Sequence, residues 1–387
     1  MATPLNVESA VQERYLAAAR TQVQALCCPI EYDRQYLGVI PAEIIERDYG
    51  CGDPSKHLHP GETVLDLGSG AGKICFIASQ VVGPSGRVIG VDMNDEMLAL
   101  ARKHQRDVGQ AIGYHNVEFR KGRIQDLALD LEQLQTELRA RPIQGADSFL
   151  AAEDRAEELR RTQPLIAGDS IDVVVSNCVL NLVDPRAKSR LFQEIFRVLK
   201  NGGRAVIADI VSDEVVPQEM QSDPELWSGC ISGAFTEEAF LAAFLDAGFY
   251  GVQILKRDTE AWRTVQGIEF RSVTLEAFKG KPGAGFERNQ AVVYKGPFRE
   301  VLDDDGHRLE RGRRYAVSHK TFQLFQKPPY AQFFEFVDPR VEIPLGQAAP
   351  YNRGRAPLRD PRETKGQDYR STSAEAGECC DGGGCGG

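Results

Sequence analysis

The spacing of apolar residues alternates between two patterns from residue 61 onward. The runs TVLDLGSG and RVIGVDM are typical of buried strands, whereas GKICFIASQVV and NDEMLALARKHQRDVG space their apolar residues as helices do. The alternation continues through IDVVVSN, AKSRLFQEIFRVLK and GGRAVIADI. Strands that alternate with helices in this way predict an α/β fold with a doubly wound, mostly parallel sheet.

The same patterns divide the first part of the chain into two regions. Residues 1–60 are predicted to form a helical N-terminal segment, with an amphipathic helix over 7–26 and a short helix over 41–48. The sheet domain is predicted over 61–280 and contains a polar, helix-prone insertion at about 127–167. Within this domain, VQILKR and RSVTLEAFKG predict an antiparallel hairpin that closes one edge of the sheet.

The pattern changes again beyond residue 280. The short β-like runs QAVVYKG, RRYAVS and QLFQ predict a small α+β domain over 281–345. Residues 346–387 are rich in Pro, Arg, Gly and Ser and end in GECCDGGGCGG. We expect this region to be a disordered, flexible tail that contains three cysteines.

The net charge, the apolar runs and the cysteine content limit the kinds of molecule that this protein is expected to bind. The net charge of −10 disfavours nucleic acid and anionic membrane surfaces, so a small-molecule substrate is expected. The sequence has no apolar run of membrane-spanning length, and its N-terminus lacks the apolar block of a secretory signal, which predicts a cytoplasmic protein. In a reducing compartment, nine cysteines indicate buried thiols, metal or metalloid ligands, or redox thiols rather than a disulfide framework.

A glycine-rich turn follows the first predicted strand. The segment VLDLGSGAG places Asp66, Gly68, Gly70 and Gly72 between this strand and the next helix, where glycines allow a ligand to approach the backbone. The pattern is GxGxG, since Lys73 follows Gly72, and it therefore differs from the GxGxxG of nicotinamide-binding proteins. With the acidic residue on the strand, it resembles the S-adenosylmethionine motif of Rossmann-like class I methyltransferases.

Two further strand ends complete a predicted cofactor site. Asp92 ends the second strand, twenty residues after the last motif glycine, where a carboxylate can accept both ribose hydroxyls. Met93 would then flank the adenine, and the end of the third strand adds Gly122, Arg123 and Ile124. A glycine motif alone can be a simple tight turn, but the acid at this spacing favours one continuous adenosine ligand.

Three cysteines lie in loops that are predicted to meet at one edge of the sheet. Cys178 ends the fourth strand, at the carboxyl edge where doubly wound folds bind ligands. Cys51 lies in the loop before the domain, and Cys230 lies in the loop after the fifth strand. Any single cysteine can equally be a packing residue, as we expect for Cys75 inside an apolar helix.

Three converging thiols indicate a soft, thiophilic substrate. Trivalent arsenic held by three sulfurs is a pyramid with a lone pair at its fourth position, and this lone pair is a nucleophile. Attack in line on a methyl carbon needs positioning rather than a general base. The three tail cysteines lack the fourth ligand of a structural zinc site.

The motifs together resemble the arsenite S-adenosylmethionine methyltransferase family. The resemblance covers roughly residues 20–300, and the spaced cysteines make it specific because the glycine motif is shared by many methyltransferases. The matching segments are the pair Cys27-Cys28, YGCG at 49–52, DLGSGAG at 66–72, GRI at 122–124, SNCVLNL at 176–182, SGCISGA at 228–234 and the weaker QAVVYKG at 290–296. The insertion and the glycine-rich tail depart from the family pattern.

The resemblance also implies roles for residues within these segments. It implies that Cys178, Cys230 and Cys51 bind arsenic, and that the Cys27/Cys28 segment supplies a thiol able to form a disulfide with Cys51. Thioredoxin or glutathione would then reduce that disulfide. The substrates implied are arsenite and methylarsenite, and a monomer is expected. The motifs add three further residues to the predicted cofactor site, namely Tyr49, Ser69 and Asn177.

Two rival functions stay open on the sequence alone. A methyltransferase that acts on carbon, nitrogen or oxygen of another small metabolite would use the same fold, with cysteines that merely pack. A metalloid-binding protein could retain the cofactor fold as a scaffold without turnover, although the intact Asp66, Gly68, Gly70 and Asp92 set disfavours it.

Overall fold

The computed structural model describes residues 7–8, 11, 14–16, 30, 32–47, 49–280 and 283–366. The chain divides after Gly280 into two compact units. The pair Cys27-Cys28 and the tail cysteines Cys379, Cys380 and Cys385 lie outside the described residues. None of the described helices combines the length and apolar character needed to cross a membrane.

A nine-stranded sheet forms the centre of the first unit. Its main path runs in the order β3-β2-β1-β4-β5-β9-β7, parallel from β3 to β5 and antiparallel at β9 and β7, while β6 pairs with β5 and β8 with β9. The predicted doubly wound sheet and its closing hairpin are therefore confirmed. The strands are β1 (Thr63–Leu67), β2 (Arg87–Asp92), β3 (Val117–Lys121), β4 (Ile171–Asn177), β5 (Leu199–Ser212), β6 (Phe235–Thr236), β7 (Tyr250–Arg257), β8 (Arg263–Val265) and β9 (Ile268–Phe278).

Helices cover both faces of this sheet. The described residues between 7 and 16 are helical, and short 3-10 turns lie at Pro54–His57 and Leu180–Leu182. The α-helices are α1 (Arg34–Leu37), α2 (Ala42–Ile45), α3 (Lys73–Val82), α4 (Asp95–Ile112), α5 (Leu131–Ala140), α6 (Ala146–Thr162), α7 (Pro185–Val198), α8 (Gln218–Gln221), α9 (Pro224–Ser228) and α10 (Glu237–Asp246).

The apolar runs of the sequence are continuous because both faces of the central strands are buried. In β1, Val64 packs into one core cluster, whereas Leu65 and Leu67 pack into the other on the opposite face. Strand β4 repeats this division, with Val173 and Val174 facing opposite sides. Parallel strands covered by helices on both faces characteristically lack the apolar and polar alternation of half-exposed strands.

The predicted insertion forms helices α5 and α6. Arg155 of α6 donates to the Glu137 carboxylate of α5 at 2.6 and 2.8 Å. Leu159 and Ala156 are buried against Leu129 in a small separate core cluster. The insertion therefore packs as a helical pair with a core of its own.

The second unit is built from short strands and two short α-helices. Strand β11 is the centre of a three-stranded sheet, in the order β14-β11-β15, and two two-stranded sheets pair β10 with β16 and β12 with β13. Additional 3-10 turns lie at Ala331–Phe333 and Leu345–Gln347. The elements are β10 (Phe286–Glu287), β11 (Ala291–Tyr294), β12 (Glu300–Leu302), β13 (Arg308–Glu310), β14 (Arg314–Ala316), α11 (His319–Phe325), β15 (Phe334–Val337), β16 (Ala349–Pro350) and α12 (Pro361–Lys365).

The prediction of a β-like run at QLFQ is wrong, because this segment belongs to helix α11. Ser318 caps the helix by accepting a hydrogen bond from the Thr321 amide at 3.1 Å. Phe322 and Phe325 are three residues apart and are both buried, which is helical spacing. The cap lies before the apolar run, and the run alone cannot distinguish a short helix from a strand.

The expectation of disorder from residue 346 is wrong for residues 346–366. The Arg359 side chain is 0 % exposed and pairs with Glu287 at 2.7 Å and with Glu363. It also donates to the carbonyl of Gln290 at 3.0 Å. These partners lie up to about seventy residues away, so local composition gives no sign of them. Residues 367–387 lie outside the described residues.

Replacing Arg359 by alanine should destabilise the second unit. The change leaves Glu287, Glu363 and the Gln290 carbonyl without their buried donor, and removal of one partner of a buried ion pair costs about 3 kcal/mol or more. Urea unfolding followed by circular dichroism would measure the loss. Arg362→Ala, an exposed change in α12, is the matched control and should unfold like the wild type. Identical curves for both variants would contradict the assigned role of Arg359.

Candidate active site

The turn between β1 and α3 has a backbone that glycine favours. Gly68, Gly70 and Gly72 have φ values of 68°, 51° and 87°, all in the left-handed region. A side chain at Gly68 would approach the Val179 side chain to 2.4 Å, and one at Gly72 would approach Phe119 to 2.6 Å. The glycines therefore keep the N-terminus of α3 open toward a pocket at the carboxyl edge of the sheet.

Most of the predicted cofactor residues line this pocket. Gly72 and Arg123 do not line it, since Gly72 faces Phe119 and Arg123 pairs with Glu8 at 2.9 Å. The predicted residues that line the pocket are Tyr49, Asp66, Gly68, Ser69, Gly70, Asp92, Met93, Gly122, Ile124 and Asn177. Their positions on five separate segments of the chain make this a single site rather than an isolated turn.

Polar groups in the pocket are suited to a hydrogen-bonding ligand. Asp92 accepts from the Gly70 amide and from the Asn94 amide, both at 2.8 Å, and burial raises its pKa. Ser69 Oγ and Asn94 Nδ2 are buried and have no hydrogen-bond partner among the described residues. Buried polar atoms without partners are costly in a folded protein, and a bound polar ligand can satisfy them.

The N-terminal segment covers the pocket, which the motifs did not indicate. Glu8, Val11 and Tyr15 line it, and Glu8 also accepts a hydrogen bond from Gln125 at 3.0 Å. The enclosed volume is 150 Å³, smaller than the roughly 300–1,000 Å³ of typical small-molecule pockets. The described residues of this segment therefore form part of the pocket wall.

The loop that contains Cys51 is fixed by the side chain of Asn177 at the end of β4. Asn177 Oδ1 accepts from the amides of Cys51 and Gly52 at 2.8 and 3.0 Å, and its Nδ2 donates to the Gly52 carbonyl at 2.7 Å. A Cβ at Gly50 would lie 2.1 Å from Asn177, and one at Gly52 would lie 2.6 Å from Ala208. Both glycines of YGCG are therefore needed for this close approach.

The structure brings together the three cysteines of the sequence prediction. Cys51, Cys178 and Cys230 are buried, with 3 to 4 % of each residue exposed. The sulfurs of Cys51 and Cys178 lie within 4.8 Å of each other and of an Asp209 carboxylate oxygen. The Cys230 sulfur lies 3.2 Å from the Cys178 carbonyl oxygen. Since Cys178 also lines the cofactor pocket, the thiols share a wall with it.

Two of these cysteines have a strained backbone. Cys178 and Cys230 have φ values of 64° and 62°, a region that costs a non-glycine residue about 1 kcal/mol or more. The Cys178 amide donates to the Ala208 carbonyl at 2.8 Å, and the Cys230 amide donates to the Trp227 carbonyl at 3.1 Å. Such strain is concentrated at functional sites, where the surrounding structure maintains it.

The environment of Cys178 and Cys230 favours the protonated thiol. A hydrogen bond with Cys230 lowers the pKa of Cys178, but the bond with Cys51 and burial outweigh it, and the pKa lies well above its ordinary value. The bond with Cys178 and burial raise the pKa of Cys230 likewise. These two residues therefore present neutral thiols rather than thiolates until a substrate displaces their protons.

Asp209 is a site residue that sequence reasoning missed. It lies on β5, is buried, and accepts from the Leu180 amide at 2.9 Å and from Asn181 Nδ2 at 2.8 Å. Burial raises its pKa to about 6. The only signal in the sequence was an acid within the apolar run AVIADI, which a search for buried charge would have found.

A half-buried lysine, Lys188, lies near this carboxylate. Burial lowers the pKa of Lys188 to about 8, while the charges of Asp209 and Cys230 act in the opposite direction. Its ammonium donates to the Gly233 carbonyl and lies 3.9 Å from the centre of the Phe235 ring. The thiol cluster thus has a buried acid, Asp209, and a half-buried lysine, Lys188, close to it.

The loop of Cys230 is tied to the N-terminal segment and to the turn after Cys178. Arg14 donates to the Glu225 carbonyl at 2.6 Å and to Ser228 Oγ at 2.9 Å. Trp227 Nε1 donates to the Leu182 carbonyl at 3.4 Å. Tyr15 is partly buried and packs against the cluster that contains the cysteines. The hydrogen bond with Cys178 and burial raise the pKa of Cys230, and a hydrogen bond from Tyr15 acts in the opposite direction.

Cys75 behaves as the packing residue that was expected. It is fully buried in α3, and its sulfur donates to the Asp66 carboxylate at 3.2 Å. Burial, followed by the charge of Asp66, raises its pKa well above the ordinary value. The bond orients Asp66 at the edge of the cofactor pocket.

The two units match two different protein-family models. A family model described as a methyltransferase domain matches residues 58–258. A second family model, described as a domain of unknown function, matches residues 281–369. The methyltransferase match covers about half of the chain and includes Asp92, Cys178 and Cys230.

Individual relatives point to one family. The arsenite methyltransferase of Aquipseudomonas alcaligenes is 32 % identical over 313 residues, which cover 78 % of this chain and 80 % of the relative. The arsenite methyltransferase of Homo sapiens is 27 % identical over 369 residues, covering 90 % and 87 % of the two chains. The crystal structure of an arsenic(III) S-adenosylmethionine methyltransferase from Chlamydomonas reinhardtii matches with a TM-score of 0.54 and 28 % identity, over 82 % of this chain and 99 % of that one. The family predicted from the motifs is thus confirmed, and the chain belongs to the arsenite methyltransferases.

Proposed function

We propose that this chain transfers methyl groups from S-adenosylmethionine to trivalent arsenic bound by Cys51, Cys178 and Cys230. The observation that carries the proposal is the meeting of these three buried thiols at the wall of the cofactor pocket. The names of the relatives and of the matched structure support the same substrate. Acting on arsenite and then on methylarsenite, such an enzyme would serve arsenic detoxification.

The cofactor site is assigned to the residues of the pocket. Asp92 would accept hydrogen bonds from the ribose hydroxyls, and Ser69 Oγ and Asn94 Nδ2 would gain partners that the described residues do not provide. Ile124 and Met93 add apolar contacts for the adenine. When bound, S-adenosylmethionine supplies an electrophilic methyl group.

Capture of arsenite by the thiols balances without an external base. Arsenite carries three hydroxyl groups, and each thiol replaces one of them, so three As–S bonds form and three waters leave. Each thiol proton leaves with a hydroxyl, which is why protonated thiols suit this step. The remaining lone pair on arsenic then attacks the methyl carbon in line, helped mainly by positioning.

Methylation oxidises arsenic to the pentavalent state, so a reduction has to follow. Two thiols that form a disulfide supply the two electrons that return arsenic to the trivalent state. We assign this step to Cys51 and a member of the pair Cys27-Cys28, with thioredoxin or glutathione reducing the disulfide. A reducing compartment is then required, so we place the protein, as a monomer, in the cytoplasm.

The direct test is to incubate the pure protein with arsenite, S-adenosylmethionine and a thiol, and to separate the arsenic species. Methylated arsenicals are expected. A methyltransferase for another metabolite would yield none, and a metalloid-binding protein would retain arsenite without consuming the methyl donor. Either result would overturn the proposal.

Asp92→Ala should weaken binding of S-adenosylmethionine and of its demethylated product. Loss of hydrogen bonds to a charged acceptor costs roughly 1.5–3 kcal/mol, or about ten- to a hundredfold in affinity. Calorimetry would measure both ligands. Asp95→Ala removes an exposed carboxylate three residues away, which pairs with Lys121 instead, and should leave the affinity unchanged. Equal affinity in Asp92→Ala and wild type would refute the assignment.

The two substrates should separate the roles of the three cysteines. Arsenite has three positions to exchange, whereas methylarsenite has two because the third is already carbon. Cys51→Ser should therefore abolish methylation of arsenite and spare much of the methylation of methylarsenite. Cys178→Ser and Cys230→Ser should abolish both activities. Chromatography of the arsenic products checks each case.

Serine replacement of the tail cysteines Cys379, Cys380 and Cys385 is the control for thiol loss as such. It should be silent with either substrate when reductant is plentiful. Equal loss of both activities in Cys51→Ser would contradict the division of roles. Full arsenite activity in Cys178→Ser would contradict arsenic binding at this site.

Asp209→Asn should make the neighbouring thiols more reactive. Hydrogen bonding and burial dominate the raised pKa of Cys178 and of Cys230, and the Asp209 carboxylate adds to it in both cases. A neutral amide removes that charge, so both pKa values fall and the thiolate fraction rises. Alkylation by iodoacetamide at mildly alkaline pH, quantified for each cysteine by mass spectrometry, should be faster. Asp213→Asn, at an exposed residue just beyond the same strand, is the control and should not change the alkylation rates. If alkylation in Asp209→Asn is slower than in the wild type or equal to it, the Asp209 charge does not raise the pKa of the thiols.

A further inference from the structure

The second unit contains a cavity for which the methyltransferase reaction has no use. Its volume is 600 Å³, within the roughly 300–1,000 Å³ of typical small-molecule sites. All of its lining residues belong to the second unit, between Gly285 and Leu358. The cavity is therefore formed by a part of the chain to which the proposed function assigns no role.

The floor of the cavity is apolar and well packed. Leu309, Tyr315, Val317 and Phe325 line it and belong to the buried core of this unit, with Leu358 packed against them. The Tyr315 hydroxyl accepts a hydrogen bond from the Glu310 amide at 3.1 Å, so its polar end is already satisfied. This floor can accept a ring or an aliphatic chain by burying apolar surface.

The remaining lining is cationic, in contrast to the rest of the protein. Five arginine and lysine side chains and two acidic side chains line the cavity, although the whole chain has a net charge of −10. The cations are Arg308, Arg313, Lys320, Arg353 and Arg355, and the acids are Asp305 and Glu310. A positively charged concave surface on a negatively charged protein favours the binding of an anion.

Not all of these cations are neutralised by the protein. Arg313 pairs with Glu310 at 2.8 Å, and Arg355 pairs with Glu287 and Glu363 at 2.7 and 2.8 Å. In contrast, the described part of the chain provides no hydrogen bond or ion pair for the side chains of Lys320 and Arg353. Since Arg308 pairs with Glu300 at 3.5 Å, Lys320 and Arg353 are the two lining cations left for a ligand among the described residues.

We propose that this cavity binds a small organic anion, with an apolar ring or chain on the floor and a carboxylate or phosphate group facing Lys320 and Arg353. The apolar floor accounts for the body of such a ligand, and the two cations account for its charged group. Arginine and lysine are the usual partners of carboxylate and phosphate groups. The site is separate from the methyl-transfer site, so its occupancy is independent of the proposed function.

A matched pair of ligands tests whether the negative charge is recognised. Naphthoate and the neutral naphthalenemethanol have the same ring system and differ in the charged group. Calorimetric titration of the full chain, with the cofactor pocket saturated by S-adenosylhomocysteine, should show naphthoate binding about tenfold or more tightly. Naphthyl phosphate distinguishes the two anion classes by its affinity relative to naphthoate. If the neutral alcohol binds as tightly as both anions, the proposal is refuted.

Variants then test where the anion binds. Lys320→Ala combined with Arg353→Ala should weaken binding of the preferred anion about tenfold, since two partly exposed ion pairs are lost. Arg362→Ala is the control, because it removes an exposed arginine of the same unit that does not line the cavity. Melting curves confirm that the variants remain folded. Unchanged affinity in the double variant would overturn the site.

The chain itself contains a competing anion in its last residues. Glu375, Glu378 and Asp381 make that segment acidic. If replacing all three by their amides raises the affinity for naphthoate strongly, the natural occupant is this segment and not a separate small molecule. Unchanged affinity supports the proposal.

Discussion

The carboxamide of Asn177 holds the Cys51 loop against the carboxyl edge of the sheet, and the thiol cluster depends on this contact. It makes three hydrogen bonds to residues that lie about 125 positions earlier in the chain. Each bond contributes roughly 0.5–1.5 kcal/mol, so together they offset part of the conformational entropy lost in ordering this loop. The glycines on either side of Cys51 allow the approach, and the next residue after Asn177 is Cys178. One side chain therefore sets the separation of two thiols.

The second constraint is the backbone strain at Cys178 and Cys230. The left-handed conformation of each residue costs conformational free energy. The Asp209 carboxylate fixes the turn after Cys178, because it accepts hydrogen bonds from the Leu180 amide and the Asn181 side chain. Asn181 Oδ1 remains buried without a partner among the described residues, an additional local cost. The backbone around the thiol cluster is thus less stable than it could be. This is the pattern expected of a site that binds a substrate, where geometry matters more than local stability.

Sequence reasoning was reliable where the signal is local. The apolar runs predicted the doubly wound parallel sheet and its closing hairpin. The glycine turn with Asp92 predicted residues that line the pocket, and the three loop cysteines predicted the thiol cluster, because adjacent parallel strands end at one edge. Sequence reasoning failed where the interaction partner of a residue lies far away in the chain. Asp209, Lys188 and Tyr15 acquire their roles only through tertiary packing, and the order of residues 346–366 depends on the pairing of Arg359 with Glu287. The helix at QLFQ depended on a cap that lies outside the apolar run.

The N-terminal segment connects the cofactor pocket with the thiols. Glu8 contacts Arg123 and Gln125 beside the third strand, whereas Arg14 contacts the loop that contains Cys230. The described residues of this segment therefore contact both the edge of the pocket and the Cys230 loop. These described contacts are partly exposed, and each contributes about 1 kcal/mol or less. Contacts of this size are small beside the stability of a folded domain, so a bound ligand can replace them at little cost in free energy.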